Sequence, residues 1–453
     1  MIDLPLRVLA LGLLLLWLAP AATFVVQVLA ALLPARRTAE AAAGDARPGG
    51  VVLVPAHNEG APIAEQVAAL LPQLGPQDRL VLVADNCTDD TAAAARRGAT
   101  GADGAVHTAA AARRGATGAD GAVHPQFTLL ERTDPDRRGK GYALDFALDR
   151  LAEESADGRL PAAVFVLDAD CRVSPGGVRR LFGACTATGR PVQARNLCGV
   201  DPHTDADAAG LMAVSELGML FKNHVRPRGA ARLGLPCQLM GTGMTLPGPL
   251  LERKRAEAPD GGAFGGDLAE DMQMGVDATV AGTPPLFLAD VHVDSPLPTS
   301  LRGFDGQRTR WEQGHLQTLT RGVPRLLKAG VLRDDLRALG LAADLAVPPF
   351  SLLVLGWFAV AAVLTFVAWW TGFVAALAVH VFAGAAVAAA VVAGWAVFGR
   401  ERVPLSALAS VPKFVARKLP IYSRFLSNRL ETEWVRTERV ADGARAGQRP
   451  GSA

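Results

Sequence analysis

The chain has 453 residues, half of them hydrophobic, and its 46 basic and 44 acidic residues leave a formal net charge of +2. That balance provides no basic stripe for a nucleic acid, and five cysteines without CxxC spacing point to reduced thiols rather than a disulfide framework. The mean hydropathy of +0.22 is high for a soluble protein. The excess sits near the N-terminus and between about Leu341 and Phe398. Length alone leaves room for two or three structural units.

Val8 to Pro34 carries no charged side chain. Such a run is long enough to cross about 30 Å of hydrocarbon at about 1.5 Å per helical residue. A secretory signal would end near Ala19-Pro20-Ala21-Ala22, but the apolar run continues from Phe24 to Leu33, too far for a signal core. Residues 1–37 therefore read as an uncleaved anchor. Arg36 and Arg37 follow at once and place the next segment in the cytoplasm by the positive-inside rule.

Three short apolar runs come next: Val51 to Val54, Leu80 to Ala84 and Val164 to Leu167. Each is rich in β-branched or aliphatic residues and ends in acids or amides, as buried parallel strands do. Helical stretches separate them at Ala61 to Leu71, Ala92 to Arg97 and Tyr142 to Glu154. This alternation predicts an α/β domain with a mostly parallel, Rossmann-like sheet over residues 50–315. Ligands bind such sheets beyond the carboxyl ends of the strands. Glu59, Asp85, Asp168 and Asp170 all fall there.

A doubled stretch interrupts the pattern. Thr91 to His107 (TAAAARRGATGADGAVH) recurs without change as Thr108 to His124. Solenoids need at least about three units, so residues 91–124 read as a tandem duplication. The first copy follows the helix cap Asn86 to Asp90 and supplies a helix from Ala92 to Arg97, ended by Gly98. The second copy intrudes, as a short helix or a surface loop, before a strand at about Phe127 to Glu131.

Asp134 to Gly141 (DPDRRGKG) is a basic loop that opens a helix. Lys140 and free backbone N–H groups suit a phosphate, although the spacing is not that of a P-loop, and a solvated basic turn is the plain alternative. Asp168-Ala169-Asp170 follows a strand. Hard cations such as Mg²⁺ or Mn²⁺ bind through one or two carboxylates plus substrate phosphates; a structural turn is the alternative. Glu270-Asp271 opens a probable helix as a general base or as favourable N-terminal charge. Gln307-Arg308-Thr309-Arg310-Trp311 offers arginine for a diphosphate and a flat indole for a sugar, or an interfacial anchor.

Residues 316–340 and 400–440 mix basic and apolar positions, as interfacial helices do. Between them, residues 345–399 hold two further spans, broken at Thr371-Gly372. Arginines and lysines flank only their outer ends, so both ends face the cytoplasm. His380 lies inside the third span, where a histidine bonded to a neighbouring carbonyl is favoured over a functional group. The tail, 441–453, is rich in Gly, Ala and Arg and reads as disordered.

In this order PAHNE, ADNCTDDT, GKGYALD, DAD, ED and QRTRW resemble the membrane-bound family 2 glycosyltransferases, including cellulose, hyaluronan and chitin synthases and glucosylceramide synthase. The resemblance runs from Val51 to Trp311 and implies a GT-A fold with inverting transfer from a nucleotide-sugar, most often UDP-linked, assisted by Mg²⁺ or Mn²⁺. It implies that Glu59 and Asp85 lie at the base and ribose, and Lys140 near the nucleotide. Asp168 and Asp170 serve the nucleotide and its metal. Asp271 deprotonates the acceptor, Glu270, Gln307 and Trp311 bind it, and Arg310 holds the diphosphate. Met240 to Gly243 is the family's glycine turn near the acceptor. His57 replaces a common Tyr and Asp145 a common Asn; neither is expected to touch the chemistry.

The implied protein is a multi-pass enzyme of a bacterial inner membrane with its catalytic domain in the cytoplasm. Its acceptor is a glycan or a lipid, its surroundings are membrane lipids, and nucleic acid is no partner. Three spans are fewer than polymer-extruding members have, which leaves room for export subunits. Transfer of one sugar to a lipid is the alternative, and a non-catalytic nucleotide-sugar sensor is another.

Overall fold

The computed structural model describes residues 3–34, 47–100, 123–200, 204, 206–258, 262–265, 269–298 and 301–426. Expectations for 427–453, for Arg36 and Arg37, and for most of the doubled stretch lie outside these residues. The chain divides into two compact units. One comprises residues 37–197 and 239–296; the other comprises residues 1–36, 198–238 and 297–453. The range 50–315 contributes residues to both units.

The first unit is built on an eight-stranded sheet in the order β3-β2-β1-β4-β7-β6-β8-β5. Its strands are β1 (Gly50–Ala56), β2 (Arg79–Asp85), β3 (Phe127–Arg132), β4 (Ala163–Val166), β5 (Arg172–Val173), β6 (Val192–Gly199), β7 (Met244–Pro247) and β8 (Leu286–Pro296). The pairings β3–β2, β2–β1 and β1–β4 are parallel. From β4 onward the sheet changes: β4–β7, β7–β6 and β8–β5 are antiparallel. The sheet is mixed, as in a GT-A fold, rather than mostly parallel. The parallel strands β1 to β4 follow one another in the chain with a helix between each pair, as parallel pairing requires.

The apolar runs form strands because both sheet faces are covered. Val52, Val54, Leu80, Leu82 and Phe165 point into one core with Ile63, Val67 and Phe182. Their neighbours Val51, Leu53, Val81, Val83 and Val164 point into the other, with Leu144, Leu148 and Met274. Period-2 geometry thus makes every position in these runs apolar. The first face carries helices α2 (Gly60–Leu70), α3 (Thr91–Thr100) and α5 (Gly177–Thr188); the second carries α4 (Lys140–Glu154), α8 (Gly248–Glu257) and α9 (Glu270–Val280).

Helix α3 does not stop at Gly98. A Cβ at that position would overlap the Ala64 backbone, so this glycine permits close packing of α3 on α2. The chain re-enters the described structure beside the helix it left, with the His124 N–H donating to the Ala99 carbonyl at 3.3 Å.

The second unit contains α1 (Asp3–Leu32), α6 (Ala206–Leu220), α7 (Arg226–Arg232), α10 (Leu301–Arg333), α11 (Leu336–Leu345), α12 (Phe350–Thr371), α13 (Val374–Gly394), α14 (Val411–Ala416) and α15 (Leu419–Leu426). Among the described residues three helices are long and apolar enough to cross a membrane: Asp3–Leu32, Phe350–Thr371 and Val374–Gly399. The Trp17 indole donates to the Leu353 carbonyl at 3.0 Å, and the Arg7 guanidinium to that of Thr371 at 2.9 Å. His380 is bonded to the Trp357 carbonyl at 3.0 Å, the arrangement favoured from sequence. Arg226 and Asp344 pair at 2.7 Å, and Gln27 and Gln238 donate amides to the same carboxylate. Such saturation offsets the desolvation of a buried pair.

No boundary falls at residue 316. Helix α10 runs unbroken from the QRTRW segment through Gly314, Gly322 and Pro324 to Arg333.

Candidate active site

The end of β4 is a turn. The Cys171 N–H returns to the Asp168 carbonyl at 3.0 Å, and the Asp168 N–H donates to the Thr242 hydroxyl at 3.0 Å. Ligand atoms of Asp168, Asp170 and Cys171 all lie within 4.8 Å of one another. The Cys171 thiol donates to Asp170 at 3.5 Å and lies 3.1 Å from the Ser295 hydroxyl. Burial pushes this thiol well above the usual range, and the Asp170 and Asp168 charges push it further. A hard cation takes oxygen ligands. The donor set therefore fits Mg²⁺ or Mn²⁺ through the two carboxylates, with the protonated thiol outside the set.

Lys140 opens α4 after Gly139, whose φ of 131° is accessible to glycine. Its ammonium lies 2.5 Å from Asp168 and donates to the Gly241 carbonyl at 2.5 Å. Burial alone would lower its pKa. The charges of Asp168, Glu270 and Asp271 outweigh burial and hold it above the usual lysine range. Burial and then the Asp271 charge push Glu270 up to about 7, against the pull of Lys140.

Gly241 brings these groups together. Its φ is +76°, and a Cβ there would stand 3.2 Å from an Asp271 carboxylate oxygen and 3.8 Å from the Lys140 nitrogen. The turn is held from below by Gln193, which is 0% exposed. The Gln193 side-chain Oε1 accepts the Met240 N–H at 2.9 Å, and its Nε2 donates to the Ala194 and Thr242 carbonyls at 2.9 Å. Sequence reasoning missed Gln193. The strand also carries Arg195 and Asn196, so no local signal set Gln193 apart.

Asp85 ends β2 and is paired with Arg132, which ends β3, at 2.6 Å. Arg132 also reaches Asp134 at 3.0 Å and the Arg137 carbonyl at 2.9 Å. Arg132 was not singled out from sequence, yet it joins the second strand's acid to the basic loop. His57 lies 2.7 Å from the Asp85 carbonyl. Glu59 precedes α2, and its N–H donates to the Thr91 hydroxyl at 2.8 Å.

Asp145 is tied to Ala263, Phe264 and Gly265, a few positions before Glu270, by three backbone N–H groups. Burial pushes its carboxyl up against the opposing pull of those three bonds.

Lys140, Asp168, Glu270 and Asp271 are thus gathered around one glycine turn, with Asp170 on the adjoining DAD turn. Gln307, Arg310 and Trp311 belong to the other unit, on α10. There Trp311 packs against a cluster containing Met212, Phe304 and Phe414. Beneath this segment, Glu312 pairs with Lys418 at 2.9 Å and with Arg308 at 3.4 Å. Burial, and then the Arg308 charge, lower the Lys418 pKa to about 8, against Glu312.

Among solved structures, the chain is similar to a mannosyltransferase from Pyrobaculum calidifontis in complex with GDP-Man and Mn²⁺, at 20% identity over 88% of this chain and 97% of that one, with a TM-score of 0.44. It is also similar to glucosyl-3-phosphoglycerate synthase from Mycobacterium tuberculosis in complex with Mn²⁺, UDP and glucosyl-3-phosphoglycerate, at 16% identity over 64% and 85% of the chains, with a TM-score of 0.37. The same synthase with Mg²⁺ and UDP aligns at 18% identity over 64% and 85%, with a TM-score of 0.36. No curated protein matches the sequence. The family model described as glycosyltransferase like family 2 matches residues 48–314, more than half of the chain and all of the strands and turns described above, and the chain belongs to that family.

Proposed function

We propose that this protein is an inverting glycosyltransferase that moves a sugar from a nucleotide-sugar, UDP-linked in the first instance, to a hydroxyl of a membrane-proximal acceptor. The acceptor oxygen attacks the anomeric carbon, its proton passes to Asp271, and the bond to the nucleoside diphosphate breaks. Lys140 supplies fixed positive charge beside Asp168. Asp168 and Asp170 are the residues that would hold Mg²⁺ or Mn²⁺, which when bound neutralises charge on a leaving diphosphate. Glu59 and Asp85 are assigned to the nucleoside, Arg310 to the diphosphate, and Glu270, Gln307 and Trp311 to the acceptor, all by their positions in the family pattern. The catalytic unit is assigned to the cytoplasmic face of a multi-pass membrane protein.

One observation carries this reading: in a chain of this family, the Asp271 carboxylate and the Lys140 ammonium both meet Gly241, and the same ammonium pairs with the DAD turn. The test uses the full chain purified in detergent with a panel of nucleotide-sugars and reads nucleotide release. Asp271→Asn should lower kcat by about 10²–10⁴-fold, the range of a general base. Chelation should abolish release and Mn²⁺ or Mg²⁺ restore it. Wild-type turnover by Asp271→Asn would refute the assignment.

The three candidate spans favour a second reading over a self-contained export channel, namely transfer of one sugar to a lipid. A labelled donor distinguishes the two. A ladder of products supports a glycan synthase of the cellulose, hyaluronan and chitin type; one lipid-soluble product supports a glycolipid synthase.

A further inference from the structure

Asp145 lies in the second turn of α4 and accepts three consecutive backbone N–H groups. Ala263 and Phe264 donate to Oδ1 at 2.7 and 3.1 Å, and Gly265 donates to Oδ2 at 2.9 Å. Successive N–H groups converging on one point form a concave anion site, or nest. Gly265 closes it with a φ of +62°. Here the anion is the protein's own carboxylate.

Two further contacts make the nest part of a larger joint. Gly141, next to Lys140, is pressed against the Gly265 carbonyl, where a Cβ would overlap it. The side chains of Ala263 and Phe264 are buried in the core that holds Leu144 of α4 and Met274 of α9. The same joint therefore fixes the start of α4, which carries Lys140, and the entry to α9, which carries Glu270 and Asp271.

We infer that Asp145 is a positioning residue for Asp271: by filling the nest, it sets where α9 begins relative to Lys140 and Gly241. This rests on the reading of Asp271 as the base. An asparagine does not replace it. Its oxygen can accept two of the N–H groups, but its NH₂ would face the third, donor against donor.

The experiment compares the wild-type full chain in detergent with Asp145→Ala and Asp145→Asn, using whichever donor the wild type turns over. Misplacing a catalytic group by ~1 Å can cost ~10²-fold. Asp145→Ala should therefore lose on the order of 10- to 100-fold in kcat, with the donor KM within about threefold. Formate, a free carboxylate small enough for the vacated nest, should restore at least a tenth of the lost rate in Asp145→Ala and none in Asp145→Asn. Hydrogen exchange reads the same joint without substrate. Amides of 263–265 and of 270–273 should exchange faster in Asp145→Ala, and formate should slow both. A folded Asp145→Ala with wild-type kcat overturns the inference, as does exchange that quickens only at 263–265. If the wild type released no nucleotide from any donor, the functional reading would fail, and the exchange at 270–273 would still decide Asp145.

Discussion

The Lys140 ammonium lies 2.5 Å from an Asp168 carboxylate oxygen. It is the cation among Asp168, Glu270 and Asp271, which hold it charged. Replacing it by Met removes that charge where a diphosphate's negative charge would develop. Lys140→Met should lower kcat/KM by about 10²–10³-fold, the scale of one lost electrostatic stabiliser. Lys140→Arg should rescue little, because a planar fork does not replace a compact ammonium bonded to both Asp168 and Gly241. Nucleotide release across donor concentrations checks both.

Gln193→Leu keeps the size of the side chain but strips the turn of its support. The Met240 N–H and the Thr242 carbonyl would lose their buried partner. Each such orphan costs about 1–3 kcal/mol. Thermal unfolding in detergent should show a lowered midpoint. The kcat should fall by about tenfold or more as Gly241 shifts beneath Asp271.

Asp78 should govern acid stability. It is 1% exposed, takes two bonds from Arg47 at 2.8 and 2.6 Å, and accepts the Gly50 and Gly75 N–H groups at 2.9 and 2.7 Å. Burial opposes ionisation, but these partners win and hold the carboxyl below its usual value. A depressed carboxylate pKa contributes stability above the unfolded value of about 3.9, and that stability is lost as pH falls through the folded value. Asp78→Asn should therefore destabilise by about 3 kcal/mol at neutral pH, the scale of a broken buried pair. The gap to wild type should narrow below about pH 4. Unfolding midpoints across pH decide it.

Deleting Thr108 to His124 should leave donor turnover within about twofold of wild type, since closure entropy changes by only about 0.6 kcal/mol per doubling of loop length. The ends of the interruption already meet at Ala99 and His124. Because the two copies are identical, the deletion leaves His107 immediately before Pro125, where His124 stood. A folded deletion protein without activity would show that the second copy matters.

The strands were legible because each is a local apolar run, and burial on both faces leaves no polar position within it. The antiparallel half was harder to read. The run β7 has only four residues and β5 two, and their pairing depends on distant segments. Gly98 looked like a helix stop because glycine commonly ends helices; the neighbouring Ala64 backbone gives it another use. Acids after strand ends drew attention to Glu59, Asp85, Asp168 and Asp170, and an acid pair at a helix start drew it to Asp271. Arg132 and Gln193 did not stand out, because one arginine and one glutamine carry no local pattern, and Asp145 was legible only as a departure from the family's motif.

By itself, the sequence determined the three apolar spans, the strand–helix framework and the order of the family's motifs. The spans and the framework follow from periodicity and composition over neighbouring residues; the motifs are legible by their resemblance to the family. Tertiary structure alone decided which charges share a site and what holds them there. Lys140 meets Asp168, Gly241 and Asp271, and Asp145 meets Ala263 to Gly265, across separations of up to about 130 residues. Electrostatic and hydrogen-bond energies depend on distance in space, and only the folded backbone sets that distance.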